Sequence, residues 1–249
     1  MLLLACVLAV AGCAHPAPAE VAAAPAPKVG TVLDGPVPRT LLDLRLVDER
    51  GRALTLGSLR GKVVVVSDMS TLCQETCAIG TASMLAAARA SDRAGLRGKV
   101  EFLSITIDPG RDDRRHLAAY RRAFGAPPHW RTLTGSPADI RLLWDRLGVW
   151  RRLVQLRPPY DKDWVTGGPL AADVQHTDDL VFIGPDQRFR YLIDGPGTVP
   201  SPQAIPGRIY DFMSAQGHRN VRNTSSGSWS AGDVERVLRW LIDENGASS

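Results

Sequence analysis

The stretch Lys62-Val63-Val64-Val65-Val66-Ser67-Asp68-Met69-Ser70-Thr71-Leu72-Cys73-Gln74-Glu75-Thr76-Cys77-Ala78 decides the fold. Its run of valines suits a central strand buried on both faces. Residues 78–94, rich in Ala, Met and Leu, read as a helix closed by Gly95. The pattern therefore predicts a Cys-x3-Cys pair, Cys73 and Cys77, at a strand-to-helix junction. If Cys77 opens a helical turn, a spacing of four puts both sulfurs on one face. A helix N-terminus favours negative charge and stabilises thiolates. Two convergent soft thiolates make a Cu(I) or Zn(II) site that lacks only further ligands. Thioredoxin-type redox enzymes usually carry Cys-x2-Cys. The extra residue here suits a chelate as well as a disulfide. A structural disulfide in an oxidising compartment is the plain alternative, although a bridge across so short a loop stabilises little.

Working outward, residues 41–47 alternate apolar and polar, as a half-buried strand does, and 53–56 read as its hairpin partner. Residues 100–107 are a second core strand. Residues 112–124 read as a helix stopped by Gly125 and Pro127-Pro128, and 130–134 as a short strand. Ser136 and Pro137 open a helix over 137–147. Residues 149–156 read as a strand and 157–175 as an irregular loop. Residues 179–183 and 189–193 flank a turn at Pro185-Asp186-Gln187. Residues 195–230, rich in Gly, Pro, Ser and Asn, show no sustained period and read as a long C-terminal insertion. The last helix runs to about Asp243, with Val234, Val237, Leu238 and Leu241 on one face. Alternating strands and helices imply an α/β fold with a central mixed sheet flanked by helices. A cysteine pair after the first central strand makes a thioredoxin-like fold the best match.

The chain has 249 residues, 44% hydrophobic and 22% charged, with a formal net charge of +4. That suits one large domain with additions. No run of Lys and Arg interleaves with aromatics, so a nucleic-acid partner is not expected. Residues 1–12 are almost wholly apolar but too short to span a bilayer. They read as a signal peptide ending in Val10-Ala11-Gly12-Cys13, where small residues before a cysteine resemble a bacterial lipobox. Cys13 is then the lipidated N-terminus, and residues 13–38, rich in Ala and Pro, are an extended tether. The expected location is the bacterial envelope, membrane-anchored and facing the periplasm or extracytoplasmic space. Residues 39–249 are the expected folded body.

Five histidines are candidates to complete a metal site: His15, His116, His129, His176 and His218. His15 lies in the tether, and His116 sits beside Arg114 and Arg115, where a solvated role is expected. His129 and His218 fall in a loop and in the insertion. His176 lies between the long loop and a strand, where a mobile side chain could swing toward the cysteines; a lone surface histidine is the plain alternative. Met69 reads as packing, Asp108 as a loop cap, Glu75 as a solvated side chain. Trp144 and Trp150 read as core and rim, and Asp161, Lys162 and Asp163 as an exposed loop tip.

Four ordered motifs then resemble the Sco/SenC family of copper chaperones. They are Cys73-x3-Cys77 after a hydrophobic strand, Ser104-Ile105-Thr106-Ile107-Asp108-Pro109-Gly110-Arg111-Asp112, Trp130-Arg131-Thr132-Leu133-Thr134-Gly135, and Gln175-His176-Thr177 before a hairpin. The resemblance covers roughly residues 42–193. It implies a thioredoxin-like fold and copper, as Cu(I) or Cu(II), bound by Cys73, Cys77 and His176. It also implies a role in maturing the copper centre of a haem-copper (cytochrome c) oxidase, with the copper-site subunit or another copper chaperone as partner. The chain departs from the family pattern in its long insertions at 157–175 and 195–230 and at three further places. Ala78 stands for proline, Ser67-Asp68-Met69-Ser70-Thr71 replaces an aromatic strand, and Gln175 replaces an acidic residue. A non-enzymatic copper chaperone is the leading expectation. A thiol–disulfide oxidoreductase using redox-active Cys73 and Cys77 is the alternative. Only the copper role needs His176.

Overall fold

The computed structural model describes residues 25–125, 127–223 and 227–247. The signal peptide, Cys13, His15 and most of the tether lie outside the described residues.

Among the described residues, eight strands form one mixed sheet. Its parallel centre is β4 (Val63–Met69), β5 (Val100–Thr106) and β6 (Trp130–Thr134). Beyond β6 lie β2 (Leu46–Asp48) and β3 (Ala53–Leu54), the expected N-terminal hairpin, which is shorter than the sequence suggested. On the other side β9 (Asp179–Ile183) runs antiparallel to β4, followed by β10 (Arg188–Asp194) and β1 (Thr31–Pro36). Helices α2 (Cys77–Arg93), α3 (Arg114–Phe124) and α7 (Ala231–Ala247) supply one face; α1 (Arg39–Leu42) and α4 (Pro137–Leu147) supply the other. This is the thioredoxin-like arrangement that the sequence predicts.

The valines of β4 explain the layering. Val63 and Val65 join the core under α2 and α7, whereas Val64 and Val66 join the core under α4. All four are at most 3% exposed. Successive strand side chains point to opposite faces, so a run without polar interruption needs helices on both. Helix α4 begins as read, with the Ser136 hydroxyl accepting the Asp139 N–H at 3.1 Å.

Four expectations are corrected. Residues 39–42 form the single turn α1 rather than the start of a strand; it buries both Leu41 and Leu42. Four residues are too few for period to separate the two conformations. Thr31–Pro36, inside the stretch read as tether, is the edge strand β1. It is held by backbone pairing with β10 rather than by burial, so no hydrophobic signal marks it. The segment 157–175 is not wholly irregular: Ala172–His176 forms β8, paired with β7 (Arg151–Gln155) in a separate two-stranded ribbon. The insertion 195–230 holds α5 (Gly207–Phe212) and α6 (Ala215–Arg222), helices too short to display a period.

Candidate metal centre

At its C-terminal end β4 releases the chain into a loop that carries Cys73 and enters α2 at Cys77. Backbone N–H groups at the two ends of this loop point at sulfur. The Cys77 N–H points at Cys73 Sγ at 3.5 Å, and the Ser70 N–H donates to Cys77 Sγ at 3.3 Å. His176, the last residue of β8, places Nε2 3.3 Å from Cys77 Sγ. The ligand atoms of Cys73, Cys77 and His176 all lie within 4.8 Å of one another. Residues 99 positions apart thus meet because β9 pairs with β4 and brings the end of β8 over the cysteine loop.

His176 is not on a swinging loop. Its imidazole is only 4% exposed, and Nδ1 lies 2.8 Å from Asp68 Oδ2 and 2.8 Å from the Thr177 carbonyl. Asp68 was not singled out by the sequence reading. The available signal was a carboxylate two residues after a run of four valines on a core strand, where an acid needs a partner. Its other oxygen, Oδ1, accepts the Asp179 N–H at 2.8 Å.

The charges around the site are strongly coupled. The hydrogen bond with Cys77 draws the Cys73 thiol well below its ordinary range despite burial, and His176 adds to the effect. Burial pushes the Cys77 thiol well up. Burial also opposes charge on His176, but Asp68 and Cys73 outweigh it and push its pKa up to about 12. Burial, with the Asp68 charge behind it, raises Asp178 to about 7. His176 thus sits between the Asp68 side chain and the two sulfurs, and an incoming ion must displace the protons that its ligands hold.

A cavity of about 160 Å³ opens beside these groups, lined by Cys73, Glu75, Asp173, His176 and Asp178 among others. Cys73 and His176 line it, Cys77 Sγ lies 3.3 Å from His176 Nε2, and two sulfurs with one imidazole nitrogen fit a soft or borderline ion. The donor set suits copper, and the opening gives it a path.

The other candidates have structural roles. Met69 is fully buried packing, and Trp144 is core while Trp150 is 52% exposed. Asp108 binds Arg111 at 2.6 Å, and Arg111 also donates to the Ala172 carbonyl at the head of β8. His116 is not solvated: it is buried, with Nδ1 2.8 Å from Asp113 and Nε2 2.9 Å from Asp163. Asp163 is accordingly an anchor rather than part of an exposed tip. Its Oδ1 accepts the Val165 and Thr166 N–H groups. His129 faces the Ala88 carbonyl and His218 stacks on Tyr210. Asp112, fully buried, accepts the Thr71 N–H at 3.1 Å and the hydroxyls of Thr71 and Thr106. The insertion grips the cysteine loop directly, since the Gln74 carbonyl accepts the Ser214 N–H at 3.0 Å.

Comparison with known proteins agrees with this fold. The SCO1/SenC family model matches residues 38–214. The apo Sco1 of Thermus thermophilus is 22% identical over 86% of this chain and 96% of its own, with a TM-score of 0.55. A SCO1/SenC family lipoprotein of Bacillus anthracis is 21% identical, covering 79% and 98%, with a TM-score of 0.50. BsSco, a member of the Sco family of cytochrome c oxidase assembly proteins with a disulfide switch, is 18% identical, covering 67% and 87%, with a TM-score of 0.50. At these identities the solved structures speak for the fold. No curated protein matches the sequence significantly. The family match runs through both cysteines and His176 and takes in the whole central sheet apart from β1, and on that ground the chain belongs to the SCO1/SenC family.

Proposed function

We propose that this protein is a copper-binding metallochaperone that helps mature the copper centre of a haem-copper oxidase. The observation that carries the reading is the convergence of Cys73 Sγ, Cys77 Sγ and His176 Nε2 within 4.8 Å beside an open cavity. The thiolates hold Cu(I); the imidazole, a borderline ligand, lets the same site hold Cu(II). Cys73 lines the cavity, the side from which an acceptor would approach the site. The description of BsSco as belonging to a family of oxidase assembly proteins supports the client class.

We infer that the chain works in the bacterial envelope, tethered through lipidated Cys13. The lipobox-like Val10-Ala11-Gly12-Cys13 and the Bacillus anthracis relative described as a lipoprotein support this. No helix among the described residues is long and apolar enough to cross a membrane. Changing Cys13→Ala moves the protein from the membrane fraction to the soluble envelope fraction; membrane retention of that variant would refute the anchor.

A specific asymmetry favours a second reading, thiol–disulfide exchange. Cys73 is partly exposed with a lowered pKa, whereas Cys77 is buried with a raised one, the order expected of an attacking and a resolving thiol. His176→Ala separates the two. Under delivery, the variant loses Cu(II) binding and oxidase maturation while disulfide exchange with a small thiol survives. If maturation is intact in cells carrying His176→Ala, thiol reduction is the function.

A further inference from the structure

Asp68 stands where the family pattern has part of an aromatic strand, and it is a carboxylate on a core strand with both oxygens committed. Its side chain is 3% exposed. Oδ2 lies 2.8 Å from His176 Nδ1, and Oδ1 accepts the Asp179 N–H at 2.8 Å. The Thr177 carbonyl stands 2.8 Å from the same Nδ1. The other nearby acid, Asp178, is 3.8 Å from Nδ1, beyond hydrogen-bond distance, and instead accepts the Thr76 hydroxyl at 3.1 Å. Two acceptors therefore converge on Nδ1, while Nε2 lies 3.3 Å from Cys77 Sγ, with Cys73 Sγ close by.

We propose that Asp68 is a positioning residue that sets both the tautomer of His176 and the preference of the site between the two oxidation states of copper. This rests on the copper reading above. With its proton held on Nδ1 by Asp68 and Thr177, the imidazole turns the Nε2 lone pair toward the cavity and the cysteines. A carboxylate behind the ring also increases its donor strength, the usual arrangement behind a metal-ligating histidine. That added donation, and the fixed negative charge, favour the more highly charged Cu(II). Cu(I) is held chiefly by the two sulfurs and gains far less. Asparagine at this position fills the same volume but offers one oxygen for two N–H donors, and it carries no charge.

The test is a competition titration of the full-length protein in mild detergent with Cu(I) and with Cu(II), comparing wild type, Asp68→Asn and Asp178→Asn. Asp68→Asn is expected to weaken Cu(II) binding by about 10- to 100-fold, the range seen when outer partners of metal ligands are removed. Cu(I) binding changes little, so the copper potential rises by about 60 to 120 mV, at 59 mV per tenfold. Asp178→Asn, which removes a nearby charge but no bond to Nδ1, shifts the Cu(II)-to-Cu(I) ratio several-fold less than Asp68→Asn does. An unchanged ratio in Asp68→Asn, or an equal shift in Asp178→Asn, overturns the proposal while leaving the copper reading standing. A wild type that binds neither ion overturns both. Nitrogen-15 NMR of the Cu(I)-loaded wild type gives a reading that needs no variant. Nδ1 is expected to carry the proton and Nε2 the metal; the reverse assignment overturns the proposal.

Discussion

The indole N–H of Trp164 donates to the Thr71 carbonyl at 2.7 Å, joining residues 93 apart and fixing the cysteine loop two residues ahead of Cys73. Trp164 is itself held by Arg208, whose guanidinium lies 5.5 Å over the ring and donates to the Trp164 carbonyl at 2.6 Å. The segment 157–175 and the insertion thus meet on the loop that presents the sulfurs. Changing Trp164→Phe keeps an aromatic ring, smaller than the indole, and removes the donor. A buried carbonyl left without its partner costs about 1–3 kcal/mol. The expected result is a lower denaturation midpoint and faster amide exchange across residues 70–76, with copper still bound. Unaltered exchange in that loop would show that the bond does not restrain it.

Gly217 marks where α6 touches the same loop. A Cβ at Gly217 would stand 2.1 Å from the Gln74 carbonyl oxygen and 3.0 Å from the Met213 side chain. The obstacle is backbone, which cannot rotate aside. Gly217→Ala is expected to destabilise the protein by about 1–3 kcal/mol, as overpacking does, and to weaken copper uptake by displacing Gln74. Gly207→Ala, at a position with nothing within 4 Å of its new methyl group, is the control. Equal midpoints in denaturant for the two variants would contradict the close packing of α6 on the loop.

His116 clamps α3 to the segment 157–175 and makes stability depend on pH. Burial opposes charge on its ring, but hydrogen bonds to Asp163 and Asp113 raise its pKa above 6.5. Burial likewise opposes ionisation of Asp163, yet the Thr166 hydroxyl, His116 and two backbone N–H groups bring it down to about 2 from 3.8. The raised histidine contributes stability that is complete below 6.5 and lost as pH rises through its folded value. The lowered aspartate contributes stability present above 3.8 and lost as pH falls toward 2. Both act fully between about pH 4 and 6.5. The difference in melting temperature between wild type and His116→Gln is therefore expected to peak in that window and shrink on either side. A difference that is flat from pH 3 to 9 would remove the ion pair from the explanation.

Cys73 and Cys77 are both free thiols in this structure, and their environments differ. Cys73, partly exposed and with its pKa lowered, is expected to take up an alkylating reagent first, with Cys77 protected by burial. Mass spectrometry of partly labelled protein reads the order directly. Oxidation to the Cys73–Cys77 disulfide should abolish Cu(I) uptake, since thiolate is the ligand species. Equal copper uptake before and after reduction would rule out the paired sulfurs as the site.

Much of this protein is legible from local pattern. Four valines, a Cys-x3-Cys pair and an alanine-rich helix are adjacent in the chain, and their conformations follow from side-chain branching, helix propensity and strand periodicity. Sequence reasoning placed β4, α2, α4 and the β9–β10 hairpin to within a few residues for that reason. It was poorest where the signal is not local. The edge strand β1 depends on backbone bonds to β10, and β8 on pairing with β7. The burial of His116 depends on Asp163, 47 positions away.

The candidate site divides along the same line. The two sulfurs belong to one loop, so the sequence alone determined that they lie together at a strand-to-helix junction. That His176 faces them was implied by family resemblance, but only the tertiary structure decided that Asp68 stands behind its ring and that Trp164 and α6 hold the loop in front. These contacts follow from the register of β9 on β4 and from the packing of the insertion. Such register is set by hydrogen bonds and side-chain fit between segments far apart in the chain, and the periodicity of either segment read by itself carries no record of its partner.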